Sequence, residues 1–135
     1  MPDARSASCA CGALGATCVG EPVKVSLCHC LACQRRTGSV YGIAAFFERR
    51  QVRVAGPSRS FSRASDSGFP VTFHFCPDCG STVFWEPRRL PDLIAVAVGA
   101  FADPGFPAPS QAVHEDCRHA WVHPLIGRSA GQDRR

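Results

Sequence analysis

Residues 71–85 read Val71-Thr-Phe-His-Phe75-Cys76-Pro-Asp-Cys79-Gly80-Ser-Thr82-Val-Phe-Trp85, and this stretch decides the fold class. From Phe69 to Phe75, Val71, Phe73 and Phe75 fall on one face and Thr72 and His74 on the other, the two-residue period of a strand. Thr82 to Trp85 leaves the cysteine pair as a second strand. Between the two, the C-x-x-C-G turn lets both sulfurs face one ion, and Gly80 tolerates the tight backbone that points amides at thiolates. A redox dithiol of the same spacing needs a βαβ setting with a helix after the first cysteine. A strand follows here instead, so the pair reads as a metal knuckle between strands.

The same reading extends outward. Val23, Val25 and Leu27 alternate with Lys24 and Ser26 in a strand that enters a second cysteine cluster. Val40–Phe47, Gln51–Ala55, a polar stretch around Phe61, and Leu93–Val98 are further strands, the last buried on both faces. Residues 65–68 form a turn, and Pro104, Pro107 and Pro109 mark an irregular connection. The only openings for helix are a short turn after Cys33 and residues 90–92. No helical apolar period lasts three turns, so the expected class is mainly β. The expected organisation is one domain over residues 8–126, with loose tails at 1–7 and 127–135.

Seven of the nine cysteines lie in three clusters: Cys9-Ala-Cys11-Gly12, Cys28-His-Cys30-Leu-Ala-Cys33 and Cys76-Pro-Asp-Cys79-Gly80. A structural zinc takes four protein ligands, and a catalytic one takes three and keeps an open position. Cys9, Cys11, Cys76 and Cys79 pair across the fold into one closed site that staples the N-terminal segment to the central sheet, although spacing alone also allows one pair to join the middle cluster. Cys28, Cys30 and Cys33 supply three sulfurs for a second ion. Three thiolates make a weak Lewis acid, better suited to holding an exogenous thiolate than to generating hydroxide. Cys18, Cys117 or a histidine would close this second site and make it structural. His29, between two ligands, points away from the metal on an extended backbone. His74, His114, His119 and His123 read as surface residues, the last three in a segment able to close over the site, and Cys18 and Cys117 as buried or spare thiols.

The chain of 135 residues has a formal charge of +4. Two Zn²⁺ ions add four charges and seven bound thiolates remove seven, leaving about +1, so the basic excess does not argue for nucleic acid. Arg49-Arg50, Arg88-Arg89 and Arg134-Arg135 are scattered doublets and not a basic patch interleaved with aromatics. Residues 1–10 lack the apolar core of an export signal, and no apolar run approaches a membrane span. The expectation is a cytoplasmic protein with no membrane or nucleic-acid partner.

The order C-x-C-G, C-x-C-x-x-C, C-x-x-C-G, with strands between, resembles the glutathione-dependent formaldehyde-activating enzyme family, also called the centromere-protein-V domain family, over roughly residues 8–123. The resemblance implies a β-tent zinc-binding fold, similar to that of a small zinc-bearing guanine-nucleotide-exchange chaperone. It also implies a structural zinc on Cys9, Cys11, Cys76 and Cys79 and a catalytic zinc on Cys28, Cys30 and Cys33. The implied reaction is that of a carbon–sulfur lyase working in the synthetic direction, S-(hydroxymethyl)glutathione synthase, with glutathione and formaldehyde as thiol and aldehyde partners. Arg35 and Arg36 are placed to meet a glutathione carboxylate, a reading that stands beside that of two solvated arginines. The other reading of the same fold is a non-catalytic zinc-binding or chaperone-like interaction module.

Overall fold

Residues 3–124 are described by the structure, a computed structural model. The strands in chain order are β1 Ala4–Ser8, β2 Gly15–Val19, β3 Lys24–Cys28, β4 Gly42–Glu48, β5 Val52–Ala55 and β6 Arg59–Arg63. β7 Val71–Phe75, β8 Thr82–Pro87, β9 Leu93–Ala97 and β10 Gln111–Val113 follow, and one α-helix, α1 Leu31–Thr37, sits between β3 and β4. The protein is mainly β, as the sequence indicates.

The strands form two sheets, in a β-tent-like arrangement. The smaller has the order β1-β2-β5 and the larger β10-β3-β4-β9-β8-β7-β6. The pairings are antiparallel except that β10 runs parallel to β3. The main core joins the two sheets: Ala7, Leu14, Ala16 and Cys18 from the small sheet and its first turn meet Val25, Ala45, Phe47, Val83, Ile94 and Val96 of the large one. Burying these apolar faces against each other is the dominant stabilising term.

The opposite face of the large sheet carries a second, smaller apolar cluster of Ala44, Phe73, Trp85 and Ala95. Strand periodicity dictates which residues share this face. Lys24, Ser26 and Cys28 of β3 stand beside Phe46, Ala44 and Gly42 of β4, and β10 adds Gln111 beside Ser26 and Val113 beside Cys28. The middle cysteine cluster therefore begins at the edge of a half-open sheet face.

Some elements differ from the sequence reading. Ala4–Ser8, expected as part of a loose N-terminus, is a strand whose Ala4 to Ser8 pair in register with Val19 to Gly15. Arg5 reinforces it by donating to the Gly20 carbonyl at 3.3 Å and lying 5.1 Å over the Phe106 ring. The tail at 127–135 lies outside the described residues. Helix α1 starts before Cys33 and contains it, with Cys30 as N-cap and Gly38, at φ 69°, ending it in the left-handed region. Residues 90–92 form a turn, and a 3₁₀ turn lies instead at Val98–Phe101. Among the described residues no helix is long and apolar enough to cross a membrane.

Candidate metal centres and the adjoining clefts

The turn between β1 and β2 carries Cys9 and Cys11, and the β7–β8 turn carries Cys76 and Cys79. Their four sulfurs all lie within 4.8 Å of one another. Cys9 and Cys11 Sγ are 3.6 Å apart, as are Cys11 and Cys76 Sγ. A disulfide would need ~2.05 Å, whereas a tetrahedron with Zn–S bonds of ~2.3 Å has edges of ~3.8 Å. Zinc fits this set. Backbone amides already face the sulfurs: Leu14 N–H donates to Cys9 Sγ at 3.2 Å and Asp78 N–H to Cys76 Sγ at 3.4 Å. Gly12 at φ 87° and Gly80 at φ 79° make the turns that allow this. The Ser81 hydroxyl and amide hold the Cys79 thiol well below its usual range, at about 5. The Ser81 hydroxyl also accepts from Ala10 N–H at 3.2 Å, so protein contacts run across the join as well.

The second set is local. Cys28 ends β3, Cys30 caps α1 and Cys33 occupies the first turn of that helix. Their sulfurs also lie within 4.8 Å of one another, and among the described residues no fourth cysteine, histidine or carboxylate joins them. Cys30 N–H donates to Cys28 Sγ at 3.5 Å and Cys33 N–H to Cys30 Sγ at 3.3 Å. Hydrogen bonds with Cys28 and then Cys33 hold the Cys30 thiol far below its usual range, at about 2, while the contact with Cys30 pushes the Cys28 thiol up. The set thus favours one thiolate without metal, and bound metal must displace the remaining protons. Three half-buried thiols with donated amides and no fourth protein ligand fit a zinc site of the open kind.

These sulfurs open into a cleft of about 490 Å³, whose walls include Arg63, Phe69, Arg88, His114, Asp116 and Cys117. Residues 113–117 are held there through their carbonyls: His29 N–H donates to the Val113 carbonyl at 3.1 Å, and the Gln34 side-chain Nε2 donates to the His29 and Cys117 carbonyls at 2.9 and 3.2 Å. A narrower groove of about 200 Å³ adjoins the same cluster, sharing Cys28, Cys33 and His114 with the cleft.

Residues 4–122 match the family described as glutathione-dependent formaldehyde-activating enzyme. The chain belongs to that family. No curated protein matches it. Among solved structures, the crystal structure of a Rhodobacter sphaeroides protein is similar, with 24% sequence identity, 74% of this chain and 88% of that chain covered, and a TM-score of 0.55. That likeness concerns the fold alone. Membership in the formaldehyde-activating family and the two cysteine sets together fit a zinc-binding, formaldehyde-activating function.

The other residues singled out from sequence are sorted by the structure. His29 is 2% exposed, edge-on to Tyr41, and turned from the metal set. His74 bonds to Glu86 at 2.8 Å and stacks on Phe84. His119 packs edge-on against Trp121, and His123 is exposed. His114 alone of the late histidines lines both the cleft and the groove, in a left-handed conformation at φ 56° that side chains other than glycine rarely take. Cys18 is fully buried in the main core, where burial pushes its thiol up to about 11. Arg36 turns its guanidinium 4.2 Å over Trp85, beside the groove. Arg35 is exposed and lines neither the cleft nor the groove.

Sequence reasoning did not reach Lys24 or Arg89, both of which line the groove. Lys24 had a signal: it stands four residues before Cys28 on the same strand, hence on the same face.

Proposed function

We propose that the protein joins formaldehyde, or a related small carbonyl, to the thiol of glutathione at a zinc held by Cys28, Cys30 and Cys33. The observation that carries this reading is the open set of three sulfurs facing a cleft, with no fourth ligand among the described residues. Cys28, Cys30 and Cys33 would hold the ion as thiolates, and when bound it would supply a soft centre at which a sulfur donor stays ionised and nucleophilic. The reaction forms one C–S bond as the C=O π bond opens, and the proton lost by the thiol goes to the former carbonyl oxygen, with no oxidant or reductant consumed. His114, on the cleft wall near Cys30, is the imidazole positioned to carry that proton. Phe69 and Leu31 add apolar surface to the cleft wall. Cys9, Cys11, Cys76 and Cys79 would hold a structural zinc that takes no part in the chemistry. The activity suits a reducing cytoplasm, where nine unpaired cysteines persist.

The test is exchange NMR of the formaldehyde-derived methylene in mixtures with glutathione. Zinc-loaded protein should speed formation of S-(hydroxymethyl)glutathione, and Cys30→Ser should abolish the effect. A rate equal to that of protein-free buffer refutes the reading.

A further inference from the structure

The groove beside the cysteine cluster has an unusual charge balance. Lys24, Arg36 and Arg89 all line it, and no aspartate or glutamate does. Neither Lys24 nor Arg36 forms an ion pair among the described residues. Three cations line about 200 Å³ with no carboxylate among them; burial, and then the neighbouring Arg89, pull the Lys24 amine below its usual range.

The arrangement around Arg36 is built. Its guanidinium lies 4.2 Å over Trp85, itself 7% exposed, and 5.6 Å over Phe73, a stacking that fixes its plane. The space it occupies exists because residue 42 is glycine, since a Cβ there would come within 2.7 Å of Arg36 Nη2. Its Nε is buried with no hydrogen-bond partner. A buried guanidinium N–H left unpaired is costly, and such groups in native proteins call for a partner. The floor of the groove is also polar, with Gln111 Nε2 donating to Ser26 Oγ at 3.0 Å.

We infer that this groove is a carboxylate-binding subsite, in which Arg36, Arg89 and Lys24 receive an acidic group of the thiol substrate while its sulfur lies at Cys28, Cys30 and Cys33. The inference rests on the reading of those cysteines as the thiol site. Its chemistry is that of a planar anion against an arginine fork, backed by two further cations. Because Cys28 and Cys33 line the groove and the cleft alike, one small molecule spans sulfur and carboxylate positions together. The site therefore selects thiols that carry a carboxylate over neutral or cationic ones.

The experiment is isothermal titration calorimetry of the zinc-loaded protein with S-methylglutathione, whose sulfur is capped, and with its dimethyl ester. The free acid should bind at least ~10-fold more tightly than the ester. Arg89→Ala and Arg36→Lys should each weaken the acid by ~10-fold and leave the ester unchanged, whereas Arg53→Ala, on the far edge strand β5, should alter neither. Equal binding of acid and ester, failure of both to bind, or variants that weaken both ligands equally would overturn the subsite. Protein that accelerates the condensation but binds acid and ester alike loses the subsite and keeps the proposed reaction. Protein that discriminates between them without accelerating the condensation does the reverse.

Discussion

Replacing one cysteine in each set should have opposite consequences for stability and for metal content. The sulfurs of the four-cysteine set that meet across the fold belong to residues 65 positions apart, as with Cys11 and Cys76. In the middle set the outermost ligands, Cys28 and Cys33, are five apart. Loop-closure entropy scales as (3/2)RT ln n, so the long-range clasp restrains the unfolded chain by about 2 kcal/mol more than the local one. A structural zinc site contributes ~10–16 kcal/mol in apparent binding, and a quarter of that for one ligand is about 2.5–4 kcal/mol. With ~3–4 °C per kcal/mol for a chain of this size, Cys79→Ser should lower Tm by about 8–16 °C. The loss also frees the β1–β2 hairpin, whose Ala7, Leu14, Ala16 and Cys18 cover Phe47 and Val96. Cys30→Ser should lose the other zinc with a Tm change of less than about 5 °C, because its ligands already lie together in a strand end and a helix turn. Plasma mass spectrometry of metal content and thermal unfolding by circular dichroism on the same samples decide it. Equal Tm losses, or a larger one for Cys30→Ser, would refute the division of labour between the two sets.

Three further outcomes follow from packing and charge. Gly42→Ala places a methyl 2.7 Å from Arg36 Nη2; only the end of a flexible side chain must move, so stability should change by less than about 1 kcal/mol, while calorimetry should show S-methylglutathione weakened several-fold. Phe47→Ala, at a fully buried position between the sheets, should cost about 3–5 kcal/mol in urea melts, and a loss below about 1 kcal/mol would contradict the core as described. Burial pushes the Glu86 carboxyl up, but hydrogen bonds from His74 and Arg49 outweigh it and hold the group below its usual range. A depressed carboxylate stabilises fully above its unfolded value of ~4.3 and loses that contribution as pH falls through the folded one. Glu86→Gln should thus cost about 0.5–1 kcal/mol at pH 7, with the gap to wild type narrowing below about pH 5; a gap independent of pH would count against it.

Most of the strands legible in the sequence bury large side chains; β5 and β6, which bury none, were legible through Val52, Val54 and Phe61. β3, β4, β7 and β8 announce themselves through Val25, Leu27, Phe47, Phe73 and Phe84, and β9 through a continuous apolar run around Ile94. β1, β2 and β10 bury Ala7, Ala16, Cys18 and Ala112 instead, and alanine alternating with small polar residues carries no hydrophobic period. The seven sulfur positions were legible because each cluster is local, and the grouping of Cys9 and Cys11 with Cys76 and Cys79 agrees with the observed distances. The walls of the cleft were not. They come from the β6–β7 connection, the end of β8 and the segment after β10, which meet only through sheet pairing that no local pattern encodes. The same limit explains the arginines: α1 sends Arg35 and Arg36 about 100° apart around its axis, and only Arg36 turns toward Trp85.

Among the described residues β10 on β3 is the one parallel pairing, and it brings a late segment of the chain to an early strand. All four ligands of the clasp have been made once Cys79 is joined to the chain, and the three central cysteines are available long before that. Gln111, Val113 and His114 on the groove, and His114, Asp116 and Cys117 on the cleft, are added last among the lining residues. A nascent chain therefore presents both cysteine sets while the cleft and the groove still lack the side that β10 and the segment after it supply.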